Sequence, residues 1–175
     1  MWKTIVCILL AASMLPVGIA FAAGGKMSAY AEVLLDSLKR LEARDDIDPT
    51  SVGAALELLI DKSASQDNTA FTFFTGQPGT KSKSASTVKD VEVRVPNTSA
   101  KAKGPFVYIR LKDGAGLSMA DVIKKLGDAT QVDVPPPNPE KAMVLVYKTE
   151  RGQLRFGIGQ GANQPVISAT IDRTE

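Results

Sequence analysis

The chain has 175 residues, 44% of them hydrophobic, with 21 lysines and arginines against 19 aspartates and glutamates. A formal charge of +2 gives no whole-molecule field to hold nucleic acid or a lipid surface. There is no histidine and a single cysteine, Cys7. The commonest general base, the commonest transition-metal ligand and a disulfide framework are therefore all excluded.

The N-terminus reads as an export signal spanning residues 1–22. Lys3 is the positive region, Thr4–Val17 the apolar core and Ala20-Phe21-Ala22 a small-x-small cleavage site. Pro16 and Gly18 break the apolar run, so a retained membrane span is not expected. Cleavage removes Cys7 and leaves about 150 residues, enough for one domain over 23–175 that must hold itself together by packing alone. The expected location is the periplasm or the outside of the cell.

Ser28–Arg44 has helical spacing, with Tyr30, Val33, Leu34, Leu38 and Leu41 on one face. Asp48-Pro49 is a start signal for a second helix, read as Pro49–Lys62, with Val52, Ala55, Leu56, Leu59 and Ile60 inward. Ala70–Thr75 is a short strand. Gly76–Thr87 contains no apolar residue large enough to bury and is expected to be a mobile loop. Val91–Val95 alternates strictly and is a half-buried strand. Phe106–Lys112 is a strand with Val107, Ile109 and Leu111 on one side and Phe106, Tyr108 and Arg110 on the other.

Leu117–Gly127 is a helix with both ends written in. Ser118 and Asp121 form a capping box, Met119, Val122, Ile123 and Leu126 form one stripe, and Gly127 stops it. Val134–Pro139 is proline-rich and predicts a stiff extended connection. Strands are expected at Met143–Thr149, Leu154–Ile158 and Val166–Asp172. The pattern predicts an α+β fold with helices on one face of an antiparallel sheet. Segments 49–112 and 116–173 share an order of one helix and three strands, which suggests a tandem repeat.

Gly116-Leu117-Ser118, Val122, Leu126-Gly127, Tyr147, Leu154, Phe156 and Val166–Ile171 form a small-residue turn, a capped helix ending in leucine-glycine, an aromatic-tipped strand and a returning hairpin. In these residues the second half resembles the outer-membrane assembly lipoprotein family called small protein A, and the related, duplicated fold of the beta-lactamase inhibitor protein. The resemblance covers about a third of the chain. Ala129 stands where the family favours proline, and neither the lipidated cysteine nor the inhibitor's disulfides are present. The resemblance implies a small antiparallel sheet with one face under helices and the other available to a partner protein.

The candidate partner-binding residues are Phe106, Tyr108 and Arg110, joined by Met143 and Tyr147 on a neighbouring strand. Aromatic and arginine side chains combine large area with a polar tip, which suits interface centres. The competing reading buries this face under the first helix. Gly157 and Gly159 are expected to leave the surface there shallow. Asp45, Asp46 and Asp48 lack the glycine and the bidentate glutamate of a calcium loop, so a solvated helix junction is favoured. Lys81 and Lys83 read as a solvated loop. Asn97-Thr98-Ser99 fits the glycosylation sequon, which means something only in a eukaryotic secretory pathway. The leading expectation is a non-enzymatic module, without cofactor or metal, that binds a periplasmic or cell-envelope protein as an inhibitor, immunity factor or assembly accessory. The alternative is a histidine-free hydrolase acting on envelope glycans through carboxylates. Glu57 and Asp61, at i and i+4 of the second helix, are its candidate pair.

Overall fold

The computed structural model describes residues 27–63, 70–98, 101, 104–134 and 142–174. The signal segment and residues 135–139 of the proline-rich connection lie outside them.

The fold is mixed α+β and mostly sheet. Helix α1 (Ala29–Glu42) and helix α2 (Pro49–Leu56) precede four strands: β1 (Leu58–Lys62), β2 (Phe71–Pro78), β3 (Val88–Pro96) and β4 (Phe106–Leu111). Helix α3 (Met119–Leu126) then precedes β5 (Gln131–Asp133), β6 (Met143–Lys148), β7 (Gln153–Ile158) and β8 (Val166–Asp172). All eight strands form one antiparallel sheet in the order β1-β2-β3-β4-β8-β7-β6-β5. Each helix-led half is thus a four-strand meander, and the last strands of the two meanders pair at the centre, Tyr108 opposite Thr170. Each half has one strand more than the sequence pattern predicted. Among the described residues no helix is long and apolar enough to cross a membrane.

The caps are as the sequence wrote them. Ser118 Oγ accepts from the Asp121 N–H at 3.2 Å, and Asp121 Oδ2 accepts from the Ser118 N–H at 3.0 Å. Asp48 and Ser51 close a second box at the start of α2. Helix α2 stops six residues short of its predicted end. Glu57 turns into the left-handed region at φ 54°, and the chain leaves as β1. A helix running on to Lys62 would have buried Leu59, which is instead 84% exposed. Helix α1 is rotated from the predicted face. Ala31, Leu34, Leu35, Leu38 and Leu41 are buried, whereas Tyr30 and Val33 are half exposed. The buried set is itself an i, i+3, i+4, i+7 stripe, and it includes Leu35, which the predicted face left out.

One core cluster joins these helix side chains to alternate strand residues, among them Val91, Val93, Val107, Ile109, Phe156 and Ile171. The expected loop Gly76–Thr87 is partly strand, since β2 runs to Pro78, and partly a 3-10 turn at Lys83–Ser86. That turn is held by polar contacts. The Glu57 carboxylate accepts from the Lys83 N–H at 3.0 Å, and Ser84 Oγ donates to the Leu56 carbonyl.

Candidate functional site

Strand parity decides which predicted residues stand together. On β4, Val107, Ile109 and Leu111 enter the core, so Phe106, Tyr108 and Arg110 point away from it. Phe106 and Tyr108 are half-buried and Arg110 is exposed. The pairing brings residues of β3 beside them: Arg94 lies opposite Phe106, Glu92 opposite Tyr108 and Asp90 opposite Arg110. On the far side of β3, Phe73 lies opposite Arg94 and Thr75 opposite Glu92.

Phe73, Arg94 and Phe106 form a stack across three strands. The Arg94 guanidinium carbon lies 4.8 Å from the Phe106 ring centre and 5.4 Å from that of Phe73. Attraction between the cation and the ring faces holds all three side chains in place. Arg94 Nε also donates to Glu92 at 2.6 Å, and Arg110 Nε to Asp90 at 2.6 Å. The hydrogen bond to Asp90, reinforced by its charge, raises the Arg110 pKa above its ordinary value. Beside this stripe lies a groove of about 800 Å³, lined among others by Leu59, Asp61, Thr75, Glu92, Tyr108 and Arg110.

Met143 and Tyr147 do not join this surface. They share parity with Leu145 on β6, and their cross-strand partners are Ile158 and Leu154, both buried in the core. Tyr147 is 8% exposed, meets Phe156 edge-on at 6.0 Å and donates its hydroxyl to the Gly127 carbonyl at 3.0 Å. It is a core residue that ties β6 to the end of α3, and burial raises the pKa of its phenol. The two glycines of β7 and its turn do not leave a shallow surface either. A Cβ on Gly157 would collide with Ser168 Oγ, and one on Gly159 would stand 2.9 Å from Ile167 Cγ2. Their missing side chains are taken up by close approach of β8.

No protein-family model matches the chain, and no curated protein matches it in sequence. Among solved structures it is similar to a DUF4309 family protein, YjgB, from Bacillus subtilis. The identity is 13% and the TM-score 0.41, with 82% of this chain and 95% of that chain covered.

The carboxylate pair proposed from sequence is separated. Glu57 is the left-handed residue after α2 and is tied to Lys83, whereas Asp61 lies on β1 and lines the groove. The three acids that do line the groove are Asp61, Asp90 and Glu92. Asp45 holds Arg151 at 2.7 Å, and Asp48 is a helix cap whose pKa is lowered chiefly by the hydrogen bond from the Ser51 backbone. Among the described residues no group of acids is arranged to hold a metal ion.

Sequence reasoning missed Phe73, Arg94, Glu92 and Asp90 as parts of this surface. The alternation in Val91–Val95 already turned Glu92 and Arg94 outward. Only the strand order places Arg94 between Phe73 and Phe106, and Glu92 between Thr75 and Tyr108.

Proposed function

We propose that this protein is an exported, non-enzymatic module whose helices cover one face of the sheet and whose other face binds a partner protein of the periplasm or cell envelope. It would serve as an inhibitor or immunity factor, or as an accessory in envelope assembly. The N-terminal leader of the sequence supports export. The core cluster supports the covered face, because it draws its helix side chains and its strand side chains into one body. The observation that carries the binding reading is the Phe73–Arg94–Phe106 stack with Tyr108 beside it, half-buried on the side away from the core. The three stacked side chains are wide and already held by one another, so little of their rotamer freedom remains to be lost on docking.

The glycan-hydrolase reading is weaker on geometry. Hydrolysis needs two carboxylates with oxygens open to water and to the glycosidic oxygen. Asp90 and Glu92 each already hold a guanidinium at 2.6 Å.

The test is capture of envelope proteins by the mature chain, compared with its Tyr108→Ala variant, with the melting temperature of both. The expected result is a loss of capture of at least about tenfold at nearly unchanged melting temperature. A variant that melts far lower, or that captures the same protein equally well, would overturn the proposal.

A further inference from the structure

We infer that the sheet edge at β1 accepts an extended segment of a partner protein as an added strand, one that sets an apolar side chain against Leu59 and a lysine or arginine against Asp61. This rests on the reading that a partner docks on this sheet, and it names where the contact extends and what it recognises.

Strand β1 ends the sheet order, and among the described residues no strand lies outside it. Backbone parity fixes which groups face outward. The Ser63 N–H donates to the Phe73 carbonyl at 2.8 Å, one step beyond the register in which Lys62 faces Phe74. Leu59, Asp61 and Ser63 therefore turn their backbone groups toward β2, and Ile60 turns its N–H and C=O to the outer edge. The start of β1 is covered, since a Cβ on Gly53 of α2 would stand 2.8 Å from the Leu58 carbonyl oxygen. Past that residue, among the described residues, no strand pairs with the outward N–H and C=O of Ile60, whose side chain lies against α2. An open edge is a template for another strand, and main-chain bonds there supply affinity while alternate side chains supply selectivity.

The side chains define the selectivity. Leu59 and Asp61 lie opposite Gln77 and Thr75 and line the groove. Leu59 is the most exposed large hydrophobic residue among those described, at 84%. Of the three groove acids, Asp90 and Glu92 are matched by Arg110 and Arg94, while no ion pair forms at Asp61 among the described residues. The uncompensated charge at the edge is negative, and the residue two positions away is apolar.

A second copy of this chain fits less well than a basic segment. An antiparallel β1–β1 pair centred on Ile60 sets Leu59 against Asp61, so neither side chain is matched. One centred on Leu59 brings Glu57 against Asp61, and one centred on Asp61 sets Asp61 against itself, and like charges directly opposed across a sheet are destabilising. A segment with an apolar and a basic residue two positions apart matches both Leu59 and Asp61.

The probes are two eight-residue peptides with blocked ends, Thr-Val-Thr-Lys-Thr-Val-Thr-Lys and the same peptide with glutamate for lysine. Each is titrated into the mature chain at low salt and followed by amide NMR shifts. The lysine peptide is expected to shift the amides of Leu59–Lys62 and to bind about tenfold tighter than the glutamate peptide, a preference that fades with salt. Asp61→Lys, a change at an exposed position, is expected to reverse the preference while the melting temperature holds. Equal binding of the two peptides, no binding, shifts confined to other strands, or self-association of the chain through β1 would each overturn the inference. Any of these leaves the Tyr108 capture experiment able to succeed, so the two readings fail separately.

Discussion

Replacing Arg173 by methionine isolates one contact that joins the two ends of the fold. Arg173 follows β8 and is 8% exposed. Its guanidinium donates to the carbonyls of Glu42, Arg44 at 2.7 Å and Asp45 at 3.1 Å, which are the last residue of α1 and the turn after it. The Glu42 carbonyl is one that a helix end leaves without a partner, the other two belong to the turn, and a cation there also meets the negative end of the helix dipole. Burial lowers the Arg173 pKa, though a guanidinium stays charged at any ordinary pH. Each charge-assisted bond contributes about 1.5–3 kcal/mol at most, and the carbonyls of the exposed turn recover water when the donor is lost. Against this, the buried Nε has no partner, which costs about 1–3 kcal/mol that methionine removes. The balance is a loss of about 2–4 kcal/mol. For a domain of about 150 residues that lowers the melting temperature by roughly 5–15 °C. Urea unfolding and calorimetry read it directly, and Arg173→Lys, which keeps the charge but not the fork, is expected to recover about half. Methionine as stable as arginine would mean that desolvation of the cation outweighs its three bonds, and would refute the reasoning.

Three further outcomes follow from single contacts. Asp48→Ala is expected to cost about 1 kcal/mol at neutral pH by removing the cap of α2. The Asp48 pKa is lowered in the folded state, so this stability is present above 3.8 and is lost as pH falls through the folded value, and the gap between variant and parent in urea melts should close there. Tyr147→Phe is expected to cost about 1 kcal/mol for the bond to Gly127. The Tyr147 pKa is raised in the folded state, so its neutral form favours folding below 10.0 and that contribution is lost as pH rises toward the folded value. The phenylalanine variant should lack this alkaline component in a pH series of thermal melts. Glu57→Val places a stiffer, β-branched residue at φ 54° and removes the carboxylate that accepts from the Lys83 N–H, so the urea midpoint is expected to fall, whereas Glu57→Gly fits that conformation without strain.

What the sequence made legible depended on whether a segment carried its own punctuation. Helix α3 did, through Ser118, Asp121 and Gly127, and its capping box forms as read. Strands β4 and β8 showed clean runs bounded by turn residues. Strand β1 did not, because Leu56, Leu58, Leu59 and Ile60 make an apolar run whose period fits helix and strand alike. What ends α2 is the left-handed Glu57, and a glutamate gives no warning of that role. On β6, Met-Val-Leu-Val-Tyr is apolar at both parities, so the side facing the core was unreadable and Tyr147 was assigned outward. Arg173 was missed for a different reason. It lies more than 120 positions from the carbonyls it binds, and no local pattern encodes such a contact.

The topology itself argues for a polarised surface. Both halves run helix then meander, and both turn Val, Ile, Leu or Phe into the shared core. Packing constrains those positions, since a change of one methylene in a close-packed interior is felt. The outward positions do not have to fill that shared core, and there the halves differ. The β1–β4 half turns out Phe73, Arg94, Phe106 and Tyr108 around a groove. At the corresponding positions of β6–β8 stand Val146, Arg155, Gly157 and Thr170, with Val146 and Thr170 buried by their neighbours. A partner bound mainly by the first half would therefore contact the centre of the sheet at β4 and reach the edge at β1 in one footprint. Phe106→Ser and Asp61→Lys are then each expected to weaken the capture of one and the same partner, and an outward change on β7 such as Arg155→Gln is expected to leave its affinity, read by titration calorimetry, within about twofold.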